Sequence, residues 1–333
     1  MLSMLEFSMI HADSRRAAVE SWLAAQLRGA RFSLTPASVD ASFRRYFRAA
    51  LPDGRSYVVM DAPPDQEDCR PFVHVARLLR AAGVHAPEVH AEDLARGFLL
   101  LGDLGTRTYL QELNADNAAR LLGDATDALL RWQLATRPGE LPPYDEALLR
   151  REMNLFPEWY VLRHLKVTLS DSQNNSLEQI FRLLVKSALA QPAVYVHRDY
   201  MPRNLMVSDP NPGVLDFQDA VLGPITYDMV SLLRDAFVSW DEERVLDWSV
   251  RYWEKAKRAG LPVETGFAEF WRAFEWMGLQ RHLKVLGIFA RINYRDGKPK
   301  YLEDTPRFIR YARAVSERYA ALAPLARLLD ELE

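Results

Sequence analysis

Beyond about residue 104 the hydrophobic period of this chain turns from mixed strand and helix to predominantly helical, and that shift limits the architecture open to it. Between residues 31 and 62 apolar residues come in short runs, "RFSLT", "FRRYFRAAL" and "SYVVMDA", as strands with a covered face do. "PDG" at 52–54 separates the last two as a hairpin turn would. "QEDCRPFVHVARLLRAAG" (66–83) shows helical spacing and closes on Gly83; "PEVHAED" and "GFLLLGDLG" then read as a further strand pair. Beyond about residue 104 the helical period dominates, near 107–136, 145–167, 176–190, 226–239, 242–259, 264–292 and 305–332. A helix over 13–27, stopping near Gly29, precedes the strands. The expected fold class is α+β and bilobal. A small antiparallel sheet forms an N-terminal lobe (1–100), a hinge covers 101–105, and a larger, mainly helical C-terminal lobe covers 106–333.

At 333 residues, 49% of them apolar, the chain is long enough for two cores. A net charge of −3 gives no global basic excess, so neither nucleic acid nor an anionic membrane is an expected partner. The start "MLSMLEFSMI" carries Glu6 and no early Lys or Arg, which is unlike a secretory signal. No apolar run reaches the roughly 18–20 residues of a membrane span. The single cysteine, Cys69, excludes an internal disulfide framework and a CxxC motif. A cytoplasmic monomer is expected.

One β-rich island interrupts the helical half: "VYVHRDYMPRNLMVSDPNPGVLDFQDA", residues 194–220. "AVYVH", "LMV" and "VLDF" read as strands joined by a loop and a Pro-rich turn, which would bring Asp199, Asn204 and Asp216 to one end of a hairpin. Carboxylate and carboxamide oxygens suit Mg²⁺, an ion commonly shared with substrate phosphates. Phosphoryl transfer needs such an ion, and a carboxylate that orients the attacking hydroxyl and takes its proton. His197-Arg198-Asp199 followed by Asn204 fits the pattern H-R-D-x-x-x-x-N, and Asp216-Phe217 stands where D-F-G belongs. Polar turns are common between strands, but two signatures in this order across a hairpin are not explained by turn chemistry.

On these residues the chain resembles the aminoglycoside phosphotransferase and choline kinase branch of the protein-kinase-like fold. With "ASFRRYFRA", "SYVVMDAP" and "QRHLKVLGIFAR", it resembles most the anomeric amino-sugar kinases of cell-wall recycling. The resemblance implies ATP and Mg²⁺ as cofactors and the C1 hydroxyl of N-acetylmuramate or N-acetylglucosamine as acceptor. It implies Asp199 as catalytic base, Asn204 and Asp216 as metal ligands, and His197 and Asp228 as structural support.

The pattern also departs from that family. No G-x-G-x-x-G occurs in the N-terminal lobe, and Asp61 falls where a strand Lys usually grips the phosphates. Ser42 with Arg44 or Arg45 is the candidate replacement, because a guanidinium binds phosphate oxygens as a fork. In a strand Arg45 shares a face with Phe43 and Phe47, and Arg44 with Tyr46 and Arg48. Glu67, without its usual Lys partner, receives no role. Asp103 and Leu104 mark the hinge, where backbone groups would meet adenine.

Only "QDAVLGPIT" separates Phe217 from Tyr227 and no A-P-E follows, so the acceptor is a small molecule and not a protein. Residues 276–310 hold eight Lys or Arg against three Asp or Glu, which favours a neutral or anionic sugar over a polycation. Arg281, His282 and Arg291 are candidates for its carboxylate, and Glu158 and Trp159 for weaker contacts. Two readings stand beside this one: a phosphotransferase acting on an aminoglycoside or other small alcohol, and a nucleotide-binding pseudokinase.

Overall fold

The computed structural model describes residues 4–38 and 43–332, with side chains from Ser14 onward except at Ser38. The chain divides into two compact units: Met1–Arg107 with Met206–Asp219, and Thr108–Leu205 with Ala220–Glu333.

In the first unit, α1 (Met4–Gln26) precedes β1 (Ser33–Ser38), β2 (Arg45–Ala50) and β3 (Ser56–Asp61); α2 (Arg70–Ala81), β4 (Val89–Asp93) and β5 (Phe98–Gly102) follow. The sheet is antiparallel throughout, in the order β1-β2-β3-β5-β4. The β2–β3 hairpin pairs Ala50 with Ser56 at the turn and Arg45 with Asp61 at the far end. Alternation puts Phe47 and Ala49, Val59, and Phe98 and Leu100 on one face. Val19, Trp22 and Leu23 of α1 cover that face at helical spacing. Each such side chain taken from water contributes about 1.5–3 kcal/mol.

The expected C-terminal lobe, 106–333, includes 206–219, whereas Met206–Asp219 belongs with the first unit. Three contacts fasten it there. Val207 donates to the Arg107 carbonyl (2.8 Å), Val214 donates to the His85 carbonyl (2.7 Å), and Phe217 packs on Phe72 of α2 with ring centroids 4.7 Å apart. The division falls within β7 (Leu205–Met206), which pairs with β8 (Gly213–Val214).

The second unit is mainly helical. The expected helix over 107–136 is two, α3 (Tyr109–Glu112) and α4 (Ala118–Leu134). That over 145–167 is α5 (Glu146–Met153) followed by a π-helical segment, Phe156–His164, that starts beside Pro157. Then come α6 (Asp171–Leu189), β6 (Ala193–Val196) antiparallel to β9 (Val221–Pro224), α7 (Tyr227–Leu233), α8 (Glu242–Arg258), α9 (Phe267–Asp296), α10 (Thr305–Arg318) and α11 (Ala323–Glu331). The central helix is α9, buried almost continuously from Met277 to Leu286. No helix among the described residues is long and apolar enough to cross a membrane.

Where α9 passes the π-helical segment there is no room for a side chain: a Cβ on Gly287 would overlap the main chain of Leu155. Gly287→Ala is expected to cost about 1–3 kcal/mol, the range for overpacking a tight interior. Denaturant unfolding at unchanged m-value checks this.

Candidate active site

Strand β6 delivers the chain into the loop His197–Asn204, and the first turn of α7 holds it there. Asp228, wholly buried, accepts the backbone N–H of His197 (2.7 Å) and of Arg198 (3.0 Å), one on each carboxylate oxygen. Burial pushes the Asp228 carboxyl up, to about 7, against those two amides and the nearby Arg281. Arg198 then takes a positive φ of 75° before Asp199. His197 is buried, its ring edge-on to Tyr200, and Nδ1 accepts the N–H of Asp199 at 3.3 Å. A short 3₁₀ turn, Pro202–Asn204, ends the loop, and the Asn204 amide nitrogen donates to the Asp199 carbonyl at 2.9 Å. Asn204 is thereby held against the residue that the sequence marks as base, with its nitrogen end engaged in the loop. The oxygen end is a donor of the type a hard cation would accept.

The side chain of Arg198 turns back to Glu152 of α5, a carboxylate whose role the sequence reading missed. Glu152 also accepts from Lys284 Nζ (2.9 Å), from the Tyr144 hydroxyl and, at 3.5 Å, from Gln280. Burial alone would raise its pKa; Lys284 and Arg198 outweigh burial and bring it from 4.5 to about 2. Lys284 donates to the Tyr227 hydroxyl as well, at 3.0 Å.

The first unit carries the other half of the motif set. Asp216 has φ +62° and accepts from Gln218 Nε2 at 3.0 Å, while Phe217 is fully buried against α2. Asp61 points to the α1 side of the sheet, wholly buried, and binds both Arg15 and its cross-strand neighbour Arg45; each Nε lies 2.9 Å from a carboxylate oxygen. The guanidinium of Arg45 therefore serves Asp61. Arg44 lies off the opposite face and pairs with Glu67, just before α2, at 3.0 Å. Ser42 lies outside the described residues. Asp103 binds Arg48 through both oxygens (2.6 and 3.0 Å) and the Gly105 N–H, and Leu104 lies against Gly213.

Two of the expected acceptor contacts need correction. His282 is fully enclosed, stacked on Tyr311 (5.0 Å) beside Phe308. Burial, with Arg234 and Arg281 nearby, holds its pKa well below the ordinary value, so it is neutral and has no surface for an acceptor. Arg281 is only 3% exposed, and its charge falls on Asp228 and Asp235. Glu158 is exposed, and Trp159 is half-buried under the Arg163 guanidinium, 4.2 Å from the ring centroid. The cluster Trp271, Phe274 and Tyr311 is occupied by the chain's own Arg234 at 5.5–6.0 Å.

Among the described residues no group of three or more His, Cys, Asp or Glu is placed to hold a metal alone. The donor types of Asn204 and Asp216 fit a hard divalent ion that completes its shell with water and phosphate oxygen.

An antiparallel sheet unit bearing a D-F motif and a helical unit bearing an H-R-D loop define a kinase-like phosphotransferase class. The model of the phosphotransferase enzyme family matches residues 33–265, and the chain belongs to that family. It is 60% identical over 301 residues, 90% of this chain and 88% of the relative, to the N-acetylmuramate/N-acetylglucosamine kinase of Pseudomonas putida. It is 52% identical over 322 residues, 96% of each, to the enzyme of that name from Neisseria meningitidis. Among solved structures, an ADP-bound aminoglycoside phosphotransferase superimposes with a TM-score of 0.60 at 16% identity, covering 89% of this chain and 97% of the other. The protein-kinase-like α+β fold follows from that likeness.

Because Glu152 is depressed in the folded state, its charge contributes stability that is present above 4.5, the unfolded value, and is lost as pH falls toward about 2. Glu152→Gln is expected to flatten the pH dependence of unfolding free energy between pH 4.5 and 3. Denaturant titrations at a series of pH values measure it.

Proposed function

We propose that this chain is an ATP- and Mg²⁺-dependent kinase that phosphorylates the anomeric hydroxyl of N-acetylmuramate or N-acetylglucosamine. The observation that carries the reading is the loop His197–Asn204. Both Asp228 oxygens hold its backbone, and the two residues marked as base and ligand, Asp199 and Asn204, are tied together. The high identity to relatives bearing that name supports the choice of acceptor. The aromatic cluster Trp271, Phe274 and Tyr311 already holds Arg234, so it is not free to cage a quaternary ammonium.

In this reading Asp199 accepts a hydrogen bond from the C1 hydroxyl, aligns its oxygen for in-line attack and takes its proton as charge develops. Asn204 and Asp216 hold Mg²⁺, which when bound neutralises charge on the phosphate oxygens. Arg44 takes over phosphate binding from the missing strand Lys, and Glu67 keeps its guanidinium in place. Asp103 and Leu104 offer backbone groups to adenine, with the Asp103 side chain spent on Arg48. Glu158 and Trp159 remain the proposed acceptor contacts. The two units of the fold act as nucleotide and acceptor lobes, and the protein works as a monomer in the cytoplasm.

Phosphorus NMR of the product tests the reading. A sugar 1-phosphate is expected, and Asp199→Asn should bind nucleotide while losing turnover by roughly 10²-fold or more, the scale of a lost general base. A 6-phosphate, activity confined to cationic antibiotics, or full turnover in Asp199→Asn would each count against it.

Arg44→Met is expected to raise the nucleotide KM by roughly tenfold or more, the equivalent of one charge-assisted hydrogen bond, with little change in sugar KM. Arg45→Met should act chiefly on stability. Steady-state kinetics paired with thermal melts separates the two arginines.

A further inference from the structure

Arg198 is held in a backbone conformation that a residue with a side chain rarely adopts. Its φ of 75° is in the left-handed region, which costs a non-glycine residue free energy and persists only where the surroundings over-determine it. Two restraints act on the main chain: its N–H is bound by Asp228, and its carbonyl accepts the Ser231 hydroxyl at 3.5 Å. The third acts on the side chain. Arg198 Nη2 donates to Glu152 Oε1, and the same oxygen accepts Lys284 Nζ at 2.9 Å. Lys284 is anchored from its other side by the Tyr227 hydroxyl, and Glu152 by Tyr144 and Gln280. A continuous chain of contacts thus runs Tyr227–Lys284–Glu152–Arg198, and Asp199 is the next residue.

Charge completes the argument. Lys284 and Arg198 carry two positive charges against the single Glu152 carboxylate, all three side chains 18% exposed or less. The cluster therefore sets two cations against one carboxylate, and the next carboxylate along the loop is Asp199. Both cations feel it: Asp199 is among the charges that favour the ionised forms of Arg198 and Lys284. The other ionisable groups bearing on the loop are Asp228, Arg281 and the Tyr144 and Tyr227 hydroxyls.

We propose that Lys284 and Glu152 are positioning residues for phosphoryl transfer: anchored on each other, they hold Arg198 in its left-handed conformation and so aim the Asp199 carboxylate at the acceptor hydroxyl. The inference rests on Asp199 being the base as read above. Lys284 is a hydrogen-bonded strut in this arrangement. Its loss frees Glu152 to re-pair and lets the loop relax, which misplaces Asp199 without removing any group that binds sugar or nucleotide.

Lys284→Met is expected to lower kcat by roughly 10–100-fold, the effect of a misplacement of about 1 Å at a reacting group, with both KM values within about twofold of wild type. Lys284→Arg restores hydrogen bond and charge, and should return kcat to within about threefold. Wild-type kcat in Lys284→Met overturns the proposal, as does an effect confined to KM. Should Lys284→Met fold poorly, Glu152→Gln/Lys284→Met removes the buried carboxylate and ammonium together; it should melt near wild type and still turn over slowly. Recovery of wild-type kcat in the folded double variant also overturns the proposal. Asp199→Asn assayed alongside distinguishes the two levels. A fully active Asp199→Asn removes the base assignment itself, whereas an inactive one beside an unaffected Lys284→Met removes only the positioning role.

Discussion

One carboxylate accepting two consecutive backbone amides sets the geometry of the second unit's site. Asp228 lies in the first turn of α7, wholly buried, and its two oxygens take the N–H groups of His197 and Arg198. An ionised carboxylate without partners would be prohibitively costly there. Burial nearly tips this one to its neutral form, and the amides with Arg281 are what oppose it. The consequence is that strand β6 cannot run past Val196: the chain must leave the ladder where Asp228 takes hold of it. The left-handed turn at Arg198, its bridge to Glu152 and the Asn204 hydrogen bond to the Asp199 carbonyl all lie in the stretch just beyond that exit. Each Asp228 oxygen binds one of these amides, so the carboxylate fixes the path of the loop at two successive residues.

The first unit meets a different constraint, the sign change at β3. In the strand pairing Asp61 stands opposite Arg45 and Phe98, and all three lie on the face that α1 covers. Arg15 precedes Val19 by one helical turn, so the packing that buries Val19, Trp22 and Leu23 also carries a guanidinium over Phe98 to Asp61. The carboxylate is thus an element of the helix-to-sheet interface. Alternation then decides the fate of the neighbouring arginines. Arg45 is drawn to the α1 side, while Arg44, one residue earlier, is left for the other side, where Glu67 meets it. The pair Arg44–Glu67 therefore stands just before β2 and α2, on the side away from α1.

Much of this was legible in the sequence, for identifiable reasons. Strand and helix order follows from hydrophobic period, and Gly29, Gly54 and Gly83 punctuate it at positive φ. The loop motif is local, eight residues from His197 to Asn204, so its spacing survives in one dimension. What escaped was long-range. Glu152 in "RREM" and Lys284 in "RHLKV" have no pattern that announces a pair, because α5 and α9 meet only through tertiary packing. Arg15 and Asp61 are equally silent. The break between α5 and the π-helical segment has a local marker in Pro157, but the close approach of α9 to Leu155 at Gly287 has none. The placement of Met206–Asp219 escaped too, since a short hairpin does not advertise which core its apolar residues join.

Charge along 276–310 is likewise redistributed by the fold. Eight basic residues against three acidic ones over 276–310 reads as a cationic surface that would welcome an anion. In the fold much of that charge is already answered. Lys284 belongs to Glu152; Arg281 lies inside, with Asp228 and Asp235 as its counter-charges; Arg295 pairs with Asp296, and Arg307 with Asp304 and the Ala236 carbonyl. Lys298, Lys300 and Arg310 are exposed, where water and salt screen them. Arg291 is half-buried and its Nε has no hydrogen-bond partner among the described residues, so it keeps the character the tally ascribed to all eight. A count along the chain cannot separate charges that build the protein from charges that face a ligand. Preference for an amino sugar therefore rests on the relatives, and the electrostatic support for an anionic acceptor narrows to Arg291.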